Sequence, residues 1–146
     1  MASFQRSVTV DWSGPIMEGK GVAKAGSGAF NLPVTFPSRI GEPAGVTSPE
    51  ELMAASHASC FAMALNATVG RKGGAAARTV ITATIIADKG EAGIKLTTSK
   101  LHVAAEGVTG MDAAAFKEAA KEAEKNCPIS NALRGALAIE LDVEVK

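Results

Sequence analysis

Two cysteines and two histidines, Cys60, Cys127, His57 and His102, are the residues of this 146-residue chain suited to redox, nucleophilic or metal chemistry. The thiolate, not the thiol, is the nucleophile, so each cysteine must be read with whatever would ionise it. Cys60 sits in Ser56-His57-Ala58-Ser59-Cys60-Phe61. In apolar surroundings it is an inert core residue; beside a cation it is reactive. His57 precedes it by three residues and shares its helical face, either tuning the thiol or packing as a core histidine. Cys127 stands immediately before Pro128, at the cap position of a short turn, with Lys125 nearby. Helix N-termini favour thiolates, so local physics ranks Cys127 as the more easily ionised of the two. Two cysteines and two histidines also make up a zinc count, but His102 and Cys127 come from distant elements and the spacing suits no compact finger. Gly-x-Ser-x-Gly is missing, and Gly26-Ser27-Gly28 has no phosphate-loop continuation. No metal and no cofactor is expected.

The elements that must position these residues follow from pattern. Val8, Val10 and Trp12 alternate with polar residues as a half-buried strand, closed by Ser13-Gly14-Pro15. Short strands around Gly21 to Lys24 and Phe30 to Val34 flank a hairpin turn at Gly26-Ser27-Gly28. Residues 37–46, with two prolines and two glycines, read as a loop. Ser48-Pro49-Glu50-Glu51 is a capping box that starts a long helix from Pro49 to about Val69, stopping at Gly70. Arg78 to Asp88 and Ile94 to Ala104 read as paired strands, and a change of inward phase between Leu96 and Leu101 predicts a bulge or twist. Asp112 caps a second helix, with Met111 and Phe116 as a staple. That helix ends near Asn126, because Pro128 disfavours helical geometry at Cys127. A helical turn from Pro128 to Arg134 and an alternating strand from Leu137 to Val145 complete a single α+β domain over residues 1–146, in the order β-β-β-α-β-β-α-β.

Composition narrows the function classes. Fifteen basic and fifteen acidic residues give zero net charge, and with no Tyr and one Trp there is neither a basic field nor a stacking platform for nucleic acid. From Leu52 to Val69 no residue is charged, the lower limit for a membrane span. Six of those residues are Ala and several are polar, so a helix buried inside a soluble, cytoplasmic protein is expected, with no membrane partner.

Three stretches together resemble one family. Ser48-Pro49-Glu50-Glu51-Leu52, Ala54-Ala55-Ser56-His57-Ala58-Ser59-Cys60-Phe61-Ala62-Met63-Ala64-Leu65 and Cys127-Pro128-Ile129-Ser130-Asn131-Ala132-Leu133 are similar to the motifs of the OsmC/Ohr family, the osmotically inducible and organic hydroperoxide resistance proteins. Trp12, Gly19-Lys20-Gly21 and Ser38-Arg39-Ile40-Gly41 look like the N-terminal sheet and arginine loop of the OsmC branch. The resemblance implies a cysteine-based peroxidase that reduces organic hydroperoxides and, less efficiently, hydrogen peroxide. In that reading Cys60 is the peroxidatic thiolate, Cys127 the resolving thiol that closes a disulfide with it, Arg39 the cation that holds the thiolate and Glu50 the group that orients Arg39. It further implies an intertwined homodimer with active sites at the interface, and an external dithiol as reductant, which resemblance to the Ohr branch makes a lipoylated protein. It reverses the local ranking of the two cysteines.

One geometric consequence of these implied roles goes beyond the motif match. Glu50 and Cys60 are ten residues apart, about 15 Å along a single helix. A carboxylate at that distance does not position an arginine beside the sulfur. Two such helices antiparallel across a two-fold axis bring Glu50 of one subunit to Cys60 of the other. The alternative from a different class is a dimeric protein that binds an apolar ligand and carries inert cysteines; a zinc-binding structural module comes third.

Overall fold

The computed structural model describes all residues, Met1 to Lys146. The chain divides into two compact units, Met1–Leu52 and Met53–Lys146.

In the first unit β1 (Val8–Ser13), β2 (Lys20–Ala25) and β3 (Asn31–Val34) form an antiparallel sheet in that order. The hairpin between β2 and β3 turns where the sequence predicts, with Gly28 at φ 78° and its N–H bonded to the Ala25 carbonyl. Gly21 lies opposite Trp12, and a Cβ there would meet the Trp12 ring at 2.8 Å and Val34 at 2.9 Å. A side chain at that position would therefore displace the indole. The expected half-burial of β1 is not found: Val8, Val10 and Trp12 are 52%, 55% and 39% exposed. Their alternation is real, but nothing within the unit covers that face.

Residues 37–46 also depart from expectation. α1 (Phe36–Ile40) is a short helix, because Thr35 caps it through its hydroxyl to the Ser38 N–H and Pro37 fits the first turn. It carries Arg39 on its last turn. α2 (Pro49–Arg71) begins at the predicted cap, where the Glu51 N–H donates to Ser48 Oγ at 3.1 Å. The reciprocal arm differs. Glu51 accepts instead from Thr47 Oγ1 at 2.6 Å, so the box closes one residue earlier than Ser48.

The second unit is built on β4 (Ala75–Gly90), β5 (Gly93–Thr109) and β6 (Ala138–Val145). They form a separate sheet, not a continuation of the first; β4 and β5 are antiparallel, and β5 and β6 parallel. The register shift expected between Leu96 and Leu101 is a bulge: Ala87 pairs with Leu96 and Ile86 with Thr98, leaving Thr97 unpaired. A parallel pair needs a crossover, here α3 (Ala113–Asn126) and the six-residue α4 (Pro128–Leu133). Asp112 caps α3, accepting from the Ala115 N–H at 2.8 Å. Gly70 does not end α2, which runs on to Arg71; Gly73, at φ 79°, takes the left-handed position that closes it.

The core joins Phe61, Leu65 and Val69 of α2 to Leu101, Val103 and Ala105 of β5 and to Phe116, Ala119, Ala120 and Ala123 of α3. The spacing of the α2 residues explains why only one stripe of that helix is covered. His57, Phe61, Leu65, Thr68 and Val69 are buried, whereas Ser56, Ser59 and Met63 are exposed, Met63 by 74%. Within one chain, the buried helix expected from the uncharged run is therefore buried along this stripe only. The uncharged segment packs one face and leaves the rest open.

Candidate functional site

Two constellations carry chemistry, one in each unit. In the first, Arg39 of α1 and Glu50 of α2 form a two-point ion pair: Nη2 to Oε1 at 2.7 Å, with Nε at 3.1 Å from Oε1 and 3.2 Å from Oε2. The eleven-residue separation is bridged because both helices begin at fixed caps, Thr35 and Ser48. The Arg39 guanidinium holds the Glu50 carboxyl below its usual range, against a weaker opposing effect of burial. Glu50 in turn pushes Arg39 still higher, so the guanidinium stays charged. The pair borders an apolar hollow of about 360 Å³ whose walls include Val10, Trp12, Phe36 and Leu52. A cation held in a fixed plane beside an apolar hollow suits an anion or a peroxide with an organic tail.

In the second unit Cys60 of α2 and Cys127, at the α3–α4 junction, are both free thiols, with Cys60 packed against the core cluster that holds Cys127. Cys127 is fully buried; Cys60 is partly exposed and opens on a cavity of about 390 Å³ shared with Met63, Ala64 and Pro128. Access therefore favours Cys60 as the sulfur that meets a solute. The helix-cap argument for Cys127 does not carry over: it caps α4 by position, but its side chain makes no cap hydrogen bond. Burial pushes the Cys60 thiol above its ordinary value, and proximity to Cys127 adds to this. The Ile129 N–H at the start of α4 works against both. As one chain, Cys60 is thus held toward the thiol.

His57 is the group that sequence reading left without a role. It is fully buried, with Nδ1 2.7 Å from Ser99 Oγ on β5 and Nε2 2.8 Å from Ser130 Oγ on α4. One ring nitrogen donates and the other accepts, which is what a neutral imidazole offers. Neither serine was a sequence candidate. Ser99 is 42 residues from His57 and Ser130 is 73, so no local pattern joins them, although Ser130 lies inside the Cys127-Pro128-Ile129-Ser130 motif. His102 falls elsewhere, on β5 beside Asp142 at 2.9 Å, with both side chains exposed. No three of the His, Cys, Asp and Glu residues come together as a metal cluster.

Burial holds His57 below its ordinary pKa, while Glu124 pulls weakly the other way. The unfolded chain therefore takes up a proton at about pH 6.5 that the folded chain still refuses. The stability contributed by the neutral ring is complete above that pH and is lost as pH falls toward the folded value. Glu50, depressed by Arg39, adds a second loss at lower pH, which begins in the usual carboxylate range and is complete only below it. Urea midpoints measured from pH 7.5 to 2.5 should show both falls, and His57→Gln should flatten the first while leaving the second. A wild-type midpoint that stays flat between pH 7 and 5 would contradict this.

The profile described as OsmC-like protein matches residues 42–142. The chain is 37% identical over 137 residues to peroxiredoxin OsmC of Escherichia coli, covering 92% of each. It is 34% identical over 105 residues to organic hydroperoxide resistance protein-like 2 of Staphylococcus saprophyticus, covering 69% of this chain and 71% of that one. The fold superposes on the crystal structure of an organic hydroperoxide resistance protein OsmC from Legionella pneumophila with a TM-score of 0.75 and 26% identity, over 95% of this chain and 97% of the other.

Proposed function

Because this chain belongs to the OsmC-like protein family, we propose that it is a thiol-dependent peroxidase acting on organic hydroperoxides and, less efficiently, on hydrogen peroxide. The observation that carries the reading is the pairing of an accessible thiol, Cys60, with a buried one, Cys127, across the foot of α4. The names of the relatives, a peroxiredoxin and organic hydroperoxide resistance proteins, support the same peroxidase role.

The chemistry follows in balanced steps. The Cys60 thiolate attacks the distal oxygen of the hydroperoxide and the O–O bond breaks. The alkoxide leaves and takes up a proton, and Cys60 becomes a sulfenic acid. Cys127 attacks that sulfur and water is released as the disulfide forms. An external dithiol, of the kind a lipoylated protein carries, returns both thiols by exchange. Cys60 must first ionise, and its own chain favours the thiol. Arg39, charged and held by Glu50, is the group suited to supply the missing stabilisation and to face the peroxide.

Glu50 and Cys60 share one continuous helix and stand about 15 Å apart along its axis. A homodimer with antiparallel α2 helices removes this conflict, bringing Arg39 and Glu50 of one subunit to Cys60 of the other. The uncovered faces of α2 and β1 support such an assembly, since Met63, Val8 and Val10 are left without cover in one chain. α2 has the length and hydropathy of a membrane span, but its stripe from His57 to Val69 is committed to the core. That commitment favours a core helix over a membrane span, and with the peroxidase reading we place the protein in the cytoplasm, in the response to oxidative stress. The separating test from a simple apolar-ligand protein is consumption of an organic hydroperoxide with a small dithiol as reductant. Catalytic turnover is expected; binding without consumption would favour the ligand-carrier reading.

A further inference from the structure

His57 is a buried titratable group that the mechanism does not use, and its place relative to both cysteines is regular. On α2 it precedes Cys60 by three residues; on α4 its partner Ser130 follows Cys127 by three. Three residues are about 4.5 Å of helix rise, so the two pairs are successive rungs between the same two segments, one turn apart on each side. The first rung is the His57–Ser130 hydrogen bond at 2.8 Å and the second is the Cys60–Cys127 pair, packed in one core cluster. The other ring nitrogen is anchored at 2.7 Å to Ser99 of β5, which fixes the plane of the imidazole. All three polar side chains are fully buried, and no buried polar side-chain atom lacks a partner. The Ile129 N–H adds a contact from α4 to Cys60, and the other side-chain bonds of this segment run to α3: Asn131 Nδ2 to the Lys125 carbonyl and Arg134, just past α4, to Glu124.

We infer that His57 is a positioning residue for the resolving step, setting through Ser130 the separation at which Cys127 meets oxidised Cys60. This rests on the peroxidase reading above. A disulfide tolerates a narrow range of Cα and Cβ separations, so a small outward drift of α4 slows closure. The Cys60 sulfenic acid then has two fates. Condensation with the Cys127 thiol releases water and gives the disulfide. Reaction with a second hydroperoxide instead transfers another oxygen to sulfur, releases the alcohol and gives the sulfinic acid, which a dithiol does not reverse. His57 biases that partition toward the disulfide.

Ser130→Ala cuts the rung between α2 and α4, whereas Ser99→Ala removes the same kind of buried hydroxyl and leaves the rung in place. The two variants carry similar penalties for an unpaired ring nitrogen, so they are matched for stability, which thermal melts will verify. Each is treated with excess organic hydroperoxide without reductant and read by intact mass, loss of two hydrogens against gain of two oxygens. Relative to wild type, Ser130→Ala should raise the ratio of sulfinic acid to disulfide about three- to tenfold, the effect of losing one buried hydrogen bond. Ser99→Ala should raise it much less. Equal ratios in Ser130→Ala and wild type, or equal increases in the two variants, would overturn the positioning role. Wild-type protein that forms neither product would instead count against the peroxidase reading itself.

Discussion

Cys60→Ser protein is expected to lose hydroperoxide turnover by about three orders of magnitude or more, the scale on which deleting an enzyme nucleophile acts. The loss is this large because a serine hydroxyl has neither the acidity nor the polarisability to break an O–O bond, and the one other thiol, Cys127, is fully buried. Cys127→Ser should behave differently. It leaves the accessible sulfur in place, so one equivalent of hydroperoxide is consumed in a burst. Turnover with a dithiol then falls as Cys60 accumulates in the sulfenic and sulfinic states. Stopped-flow consumption at substoichiometric and excess hydroperoxide separates the two behaviours. Turnover that survives Cys60→Ser, or a burst that survives it while disappearing in Cys127→Ser, would reverse the assignment.

The second large effect concerns the ionisation of Cys60. Within its own chain the thiol is raised by burial and by Cys127, with only the Ile129 N–H in opposition. An adjacent guanidinium favours a carboxylate by about ten- to a thousandfold, and a thiolate responds to the same charge. Arg39→Ala should therefore slow alkylation of Cys60 at neutral pH by about ten- to a hundredfold and shift its pH profile upward. Glu50→Ala should produce a smaller loss, because Arg39 keeps its charge but not its two-point hold. If the site is shared, mixing Cys60→Ser protein with Glu50→Ala protein restores activity. The heterodimer has one site with both native residues and one with neither. Recovery toward half the wild-type value per heterodimer is expected; no recovery after verified subunit exchange would remove the shared site.

Where a local interaction decides the structure, the sequence was readable. The caps at Ser48 and Asp112 and the bulge at Thr97 are short-range features, and each lies where its pattern predicts. α1 was obscured by the prolines and glycines that follow it, although Thr35 ahead of Pro37 is a usable start signal. Burial was misjudged for a different reason. Alternation at Val8, Val10 and Trp12, and the uncharged run of α2, report that a face is apolar, not which surface covers it. The local ranking of the cysteines rests on a rule for helix N-termini, and here the helix has six residues and its capping sulfur lies in the core. Ser99 and Ser130 were invisible because their only link to His57 is tertiary. Arg39 and Glu50 were singled out through the family resemblance; residue spacing alone would not have joined them across eleven residues.

The Cys60–Cys127 couple is the centre of this account, and intact-mass measurement after one equivalent of an organic hydroperoxide tests it most directly. Wild-type protein should lose two hydrogens and regain them with dithiol, and the loss should disappear in Cys60→Ser and in Cys127→Ser alike. An unchanged wild-type mass, or a loss that persists without either cysteine, would contradict it.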